Sequence, residues 1–283
     1  MFRKQQTWDR VPVECSTNTV AAVWVLWQAS GTIGSELQRS RMPLREPETA
    51  TSLTEVALTA EQLDQLRQYD TCTLANAIEK FDIRLRNRGF TGPGLRCMFD
   101  DKPPVLGYAA TIRVKSSNPP VQGGAYLDRA DWWAPMLESP GPRIAVVQDL
   151  EPHPGHGSVA GEIHCTVLKR LGCAGLITNG AVRDLPALRR LDFAVFAAHV
   201  AVSHSYYHVV DFGHPAEILG LEVRQGDLLY ADRHGVLSIP KEIAAELPEV
   251  AAGIVRHERH VIDFCRSPEF SLEGLKAELT SLT

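Results

Sequence analysis

Between Ile144 and Ala198 the chain alternates short apolar runs with helix-like stretches, and this alternation limits its fold more than any other feature. Ile144 to Val147 reads as a short buried strand that ends at Gln148-Asp149. Gly161-Glu162 opens a helical run to about Leu171, with Val167, Leu168 and Leu171 on one face, and Gly172 stops it. Ala174 to Ile177 is a second strand, Leu185 to Leu191 a second helix, and Val195 to Ala198 a third strand. Strands interleaved with helices predict an α/β domain.

The stretch from Thr178 to Ala187 is where chemistry concentrates. Asn179-Gly180 reads as a turn, and Arg183 and Asp184 follow side by side where a strand gives way to a helix. Ligands of open α/β sheets bind in such crevices. A fixed cation beside a carboxylate suits an anionic substrate held next to a metal ion; the plainer alternative is a surface turn with a weak ion pair. About 20 residues upstream, a spacing of one helix, one strand and their turns, Gly161-Glu162-Ile163-His164 opens a helix. Its unpaired amides attract a carboxylate or phosphate. Glu162 also complements the helix dipole, so helix capping accounts for it as well as catalysis does.

Residues 1–55 lack a sustained period and end in a Pro/Glu/Thr/Ser-rich stretch, so they read as an extension or a poorly ordered arm. Its Trp24 and Trp27 could dock on a partner subunit. The main domain is expected over 56–241, with a C-terminal helix and tail over 242–283. Leu63, Leu66, Leu74, Ala77, Ile78 and Phe81 fall at helical spacing, with Thr71 or Thr73 as cap. Pro104 to Gly107 opens a strand that runs on to Val114, and Leu228–Ala231 and Val236–Ile239 form a hairpin with a four-residue loop, Asp232 to Gly235. Pro240 ends it, and an amphipathic helix follows to about residue 265.

The composition is that of a soluble globular protein, 44% hydrophobic and 22% charged. A net charge of -5 advertises no basic face and argues against nucleic-acid binding. The longest apolar run, Val20 to Trp27, has eight residues, well short of the roughly 20 a membrane span needs. Asp9 and Glu14 among the preceding basic residues speak against a signal peptide. Six cysteines without a Cys-x-x-Cys pair read as reduced thiols, so a cytoplasmic protein is expected. Seven histidines, His153, His156, His164, His199, His204, His208 and His214, crowd into one part of the chain. His204 and His208 would share a face on a helix, but a zinc site needs a third ligand; pocket lining or surface is the better reading.

The ordered set Gly161-Glu162, Gly172 through Asp184, Val195-Phe196 and Gly226 through Pro240 resembles the RraA-like family. Asp70 to Ala77 resembles that family's first helix and Pro104 to Gly107 its following strand. The family includes class II 4-hydroxy-4-methyl-2-oxoglutarate aldolases, which also decarboxylate oxaloacetate, and a regulator that binds ribonuclease E without catalysis. The resemblance implies a layered β/β/α swivelling-domain fold and a homotrimer or hexamer with the active site at subunit contacts. It implies that Asp184 anchors Mg²⁺ or Mn²⁺ and that Arg183 pairs with the keto-acid oxygens. Backbone amides of Gly161, Glu162, Ile163 and His164 would bind the substrate carboxylate, and Glu162 would activate water or move a proton. The implied activity is metal-dependent cleavage of a small 4-hydroxy-2-oxo acid or oxaloacetate through a pyruvate enolate. The alternatives are a ribonuclease-binding regulator and a lyase for sugar-acid derivatives. Asn179-Gly180 replaces the family's usual Asp-Gly, and Gln225-Gly226-Asp227 its usual Pro-Gly-Asp.

Overall fold

The computed structural model describes residues 57–121, 127 and 129–280; the extension at 1–55, with Trp24 and Trp27, lies outside the described residues. The elements run α1 (Ala60–Leu66), α2 (Thr71–Glu79), β1 (Arg96–Cys97), β2 (Val105–Lys115), α3 (Arg129–Glu138), β3 (Arg143–Asp149), β4 (Ser158–Ala160) and α4 (Glu162–Arg170). They continue through β5 (Cys173–Val182), α5 (Leu185–Leu191), β6 (Ala194–Val200), β7 (His208–Phe212), β8 (Ala216–Ile218) and β9 (Leu221–Val223). The chain closes with β10 (Leu228–Asp232), β11 (Gly235–Ile239), a 3-10 turn at Lys241–Ile243, α6 (Leu247–Arg266) and α7 (Leu272–Thr280).

A nine-stranded sheet is ordered β1-β6-β5-β3-β2-β10-β11, with β4 added to β5 and β7 to β2. Its parallel centre, β2, β3, β5 and β6, follows from the α/β alternation in the sequence. The carboxyl ends of these four strands therefore share one edge. One face of the sheet carries helices. Ala110, Ala145, Leu176 and Val195 meet Trp132, Leu168 and Leu188 from α3, α4 and α5, while Leu106, Tyr108 and Tyr230 meet Leu66, Leu74 and Ala251 from α1, α2 and α6. On the opposite face, Ala109, Ile144, Val146 and Ile177 pack against Ile218 and Leu221 of the small β8–β9 sheet. Full burial of each large aliphatic side chain contributes roughly 1.5–3 kcal/mol. The result is the expected β/β/α layering.

Long cations tie the helix ends together. Arg143 donates from Nε to Ser139 O (2.8 Å), from Nη2 to Leu137 O (2.8 Å) and from Nη1 to Leu171 O (3.4 Å). It thereby occupies carbonyls left over at the ends of α3 and α4. Lys169, in the last turn of α4, donates Nζ to Leu191 O (2.7 Å) and Asp192 O (3.0 Å) and so caps α5. Gly172, at φ +82, makes the left-handed exit from α4.

Several expectations are corrected. Asn179-Gly180 is no turn: β5 runs through it to Val182, with a bulge between Thr178 and Ala181 against β6. The helical spacing from Leu63 to Phe81 is carried by two helices, and Asp70 rather than Thr71 or Thr73 caps the second by accepting from Thr73 N (2.7 Å). Asp232 pairs with Gly235, so the β10–β11 hairpin turns on Arg233-His234 alone. The C-terminal tail carries α7. His204 and His208 lie before and at the start of β7, not on a helix. Among the described residues no helix is long and apolar enough to cross a membrane.

Candidate active site

β4 pairs with the end of β5, Ser158 opposite Ala181 and Ala160 opposite Val182. Arg183 N then donates to Ala160 O at 3.0 Å. This pairing carries Gly161, the residue after β4, against Arg183 and Asp184, the residues after β5. Gly161 has room for no side chain: a Cβ there would run into the Asp184 carboxylate and lie 3.1 Å from Arg183 Cγ. The two motifs, 22 residues apart in the chain, meet where Glu162 N donates to Asp184 Oδ2 at 3.0 Å.

Asp184 stands in the left-handed region at φ 60, ψ 34. That backbone state costs a residue other than glycine about 1–3 kcal/mol, with Asp among the better tolerated types. It caps no amide of its own helix α5. Its carboxylate instead turns to the start of α4, with Arg183 Nε 3.8 Å from Oδ2. The two side chains remain 38% and 43% exposed, open to a ligand. Ile163 N and His164 N, at positions two and three of α4, have no acceptor within the helix. The Glu162 carboxylate is exposed in the same turn. A cation, two carboxylates and two open amides thus converge at the carboxyl edge of the sheet.

The site rests on a buried lock behind it. Asn179 accepts from Asp149 N (2.7 Å) and donates Nδ2 to Asp149 O (3.0 Å), so it holds both backbone groups of the last residue of β3. The Asp149 side chain, 1% exposed, accepts from Glu151 N (3.1 Å) and Gly155 N (2.9 Å). Burial pushes its carboxyl above the ordinary range. Asp149 is therefore the organiser of the 151–157 loop rather than a ligand. That loop carries His153 and His156, and His199, at the end of β6, packs over Gly155.

His164 is the sequence-predicted site residue whose side chain turns away. It is 3% exposed in the core, with Nδ1 3.4 Å from Val159 O and its ring edge-on to Trp132. Burial pushes its pKa down to about 4. Only its backbone amide faces the site. The histidine crowding makes no metal centre: among the described residues no group of three His, Cys, Asp or Glu side chains could hold an ion. Hollows also lie elsewhere. One of about 300 Å³, between α2 and the β10–β11 turn, is lined by Thr71, Cys72, Phe90 and His234 at the opposite end of the strands. The open edge is the stronger candidate because charges and unpaired amides converge there.

Residues 71–238 match the family model described as RraA-like, Aldolase/RraA. A Halalkalibacterium halodurans protein, provisionally named a 4-hydroxy-4-methyl-2-oxoglutarate aldolase, is 33% identical over 85 residues, 30% of this chain and 40% of that protein. Protein DlpA of Legionella pneumophila is 30% identical over 97 residues, 31% of this chain and 16% of DlpA. The shared stretches thus span less than half of either relative. Streptomyces coelicolor RraAS2, described as an unusual member of the RNase ES inhibitor RraA family, superposes with a TM-score of 0.58 at 21% identity, covering 72% of this chain and 98% of RraAS2. An uncharacterised Pseudomonas syringae protein gives 0.60 at 20% identity, covering 83% and 99%. These two share the fold. With the match spanning α2 to β11, the chain belongs to the RraA-like family, which unites aldolases and the RraA regulators.

Proposed function

We propose that the chain is a divalent-metal-dependent carbon–carbon lyase that cleaves a small 4-hydroxy-2-oxo acid or decarboxylates oxaloacetate. The observation that carries this is the hydrogen bond from Glu162 N to Asp184 Oδ2, which joins an amide-rich helix start to an Arg-Asp pair. The Asp184 carboxylate is open to solvent, and among the described residues no group of three His, Cys, Asp or Glu side chains gathers around it. That donor set fits a hydrated Mg²⁺ or Mn²⁺, which keeps most of its waters, and does not fit zinc. A divalent cation bound at Asp184 would supply Lewis-acid polarisation of the substrate's C2 carbonyl. The Arg183 guanidinium faces the oxygen on which negative charge develops and stabilises the pyruvate enolate. The amides of Ile163 and His164 receive the C1 carboxylate. Glu162 takes the proton from the C4 hydroxyl, directly or through a water.

The test is pyruvate release from 4-hydroxy-4-methyl-2-oxoglutarate and from oxaloacetate, with Mg²⁺ and with EDTA. Activity that EDTA abolishes and Mg²⁺ restores is expected, and Asp184→Ala removes it. Absence of turnover on every 2-oxo acid together with absence of metal binding overturns the proposal.

A second reading, a protein-binding regulator, is favoured by the apolar side chains around the site: Ile163 is 84% and Val202 96% exposed. On the lyase reading, these side chains fit subunit contacts of a homotrimer or hexamer. A regulator would bind a ribonuclease equally well with Asp184→Ala in a pull-down; light scattering measures the oligomer.

A further inference from the structure

The hollow of about 300 Å³ between α2 and the β10–β11 turn lies at the far end of the strands from Arg183 and Asp184. Clefts of this size take small ligands. One wall is apolar: the Phe90 ring, 44% exposed, stands with Ala75 and Val236. The Asn76 carboxamide, the His234 imidazole and the Cys72 thiol line the rest. Among the described residues neither lysine nor arginine lines it.

Two carboxylates stand beside the hollow. Asp232 accepts from Thr71 N (2.8 Å) and Thr71 Oγ1 (2.8 Å) at the start of α2, and from His234 N (2.8 Å) in the hairpin turn. The same carboxylate lies 3.2 Å from His234 Nδ1. A neutral imidazole held in this way carries its proton on Nδ1 and presents Nε2 as an acceptor. Asp70 caps α2 through Thr73 N. A helix start carries about half a positive charge, so two carboxylates on it leave the surroundings negative. The Cys72 thiol registers that field: burial, then Asp70 and Asp232, push it above its ordinary range. Cys72 therefore lines the hollow as a thiol and not as a thiolate nucleophile.

An apolar wall beside an acceptor nitrogen and a carboxamide, in a negative field, suits a ligand that carries donors and a positive charge. An anion meets repulsion and finds no cation to pair with. A neutral ligand covers the wall but gains nothing from the field.

We infer that this hollow binds a small primary amine, as its ammonium, on a compact apolar body. The body packs on Phe90 and Val236, and the ammonium donates to His234 Nε2 and the Asn76 carboxamide oxygen. This second ligand site stands independently of the lyase reading.

Isothermal titration calorimetry of the full chain with benzylamine, benzyl alcohol and benzoate tests the charge preference on a single ring. Benzylamine is expected to bind at least about tenfold more tightly than benzyl alcohol, and benzoate not to bind. His234→Phe removes the acceptor nitrogen and Phe90→Ala removes the wall; each weakens benzylamine by about tenfold or more. Both side chains are half-exposed, so both variants should fold; Asn76→Ala carries the test if either loses cooperative thermal unfolding. Asp184→Ala, in the other site, leaves benzylamine affinity unchanged. Absence of benzylamine binding, equal affinity for the alcohol, affinity unchanged in the hollow variants, or loss of binding in Asp184→Ala overturns the inference. Pyruvate release decides the lyase reading separately, whichever way the amine titrations fall.

Discussion

Replacing Gly161 with alanine adds one methyl group at the tightest point of the site. The new Cβ would lie 3.1 Å from Arg183 Cγ and 3.2 Å from Arg183 Nε, and closer still to Asp184 Oδ2. Comfortable carbon contacts are about 3.5–4.0 Å, so the carboxylate must retreat by roughly an ångström. That retreat breaks the 3.0 Å bond from Glu162 N. A hydrogen bond to a charged group contributes about 1.5–3 kcal/mol, which corresponds to a fall in Tm of roughly 3–12 °C for a domain of this size. A misplacement of about 1 Å costs on the order of 100-fold in rate. Gly161→Ala is therefore expected to lose about 100-fold in kcat/KM for oxaloacetate, followed as pyruvate release, while circular dichroism still shows a folded chain. The matched control is Gly253→Ala, inside α6, where a Cβ meets only Arg256 Nη2 at 3.9 Å. It should gain up to about 1 kcal/mol of stability and leave the rate unchanged. Full activity in Gly161→Ala would refute the close approach on which the site is built.

Asn179→Ala strips partners from the buried Asp149 N and O and should cost about 2–5 kcal/mol in urea unfolding, more than a surface change allows. His164, with a folded pKa of about 4 against an ordinary 6.5, favours the unfolded chain as acid charges the imidazole. Stability should fall by about 1.4 kcal/mol per pH unit from pH 6.5 down to about 4, and level off below that. His164→Leu should remove this slope from Tm measured against pH; a slope that survives in the variant would place its origin elsewhere. Lys169→Met leaves Leu191 O and Asp192 O without the ammonium. A loss of about 0.5–1.5 kcal/mol is expected, with no effect on KM.

The parallel core could be read from the sequence because its signals are local. Apolar runs, a stop glycine and helix-start residues lie within a few positions of one another, and their spacing also brings Gly161-Glu162 to Arg183-Asp184. What escaped depends on partners distant in the chain. Asn179-Gly180 is a strong local turn signal, yet Asn179 spends its side chain on Asp149, 30 residues away, and the strand runs straight through. Lys169 looks like helix surface until α5 arrives with bare carbonyls at its end. His164 sits in a helix-start motif, but its ring is claimed by Trp132 of α3, a helix whose adjacent tryptophans and internal Pro135 give no clean helical period. The left-handed backbone of Asp184 leaves no mark in the sequence either.

β4 pairs as a strand with β5, and its first residue, Ser158, also donates its amide to Ser203 O at 2.8 Å. The amide donors after β4 and the charged pair after β5 consequently share one support, the pairing of two neighbouring strands, which the 201–207 segment braces through Ser203 O and Ala201 N. The 151–157 and 201–207 segments frame that support from outside. An engineer who varies those segments to change which acid is admitted would keep Glu151, Gly155, Ala201 and Ser203, whose backbones bond Asp149, β5 and β4.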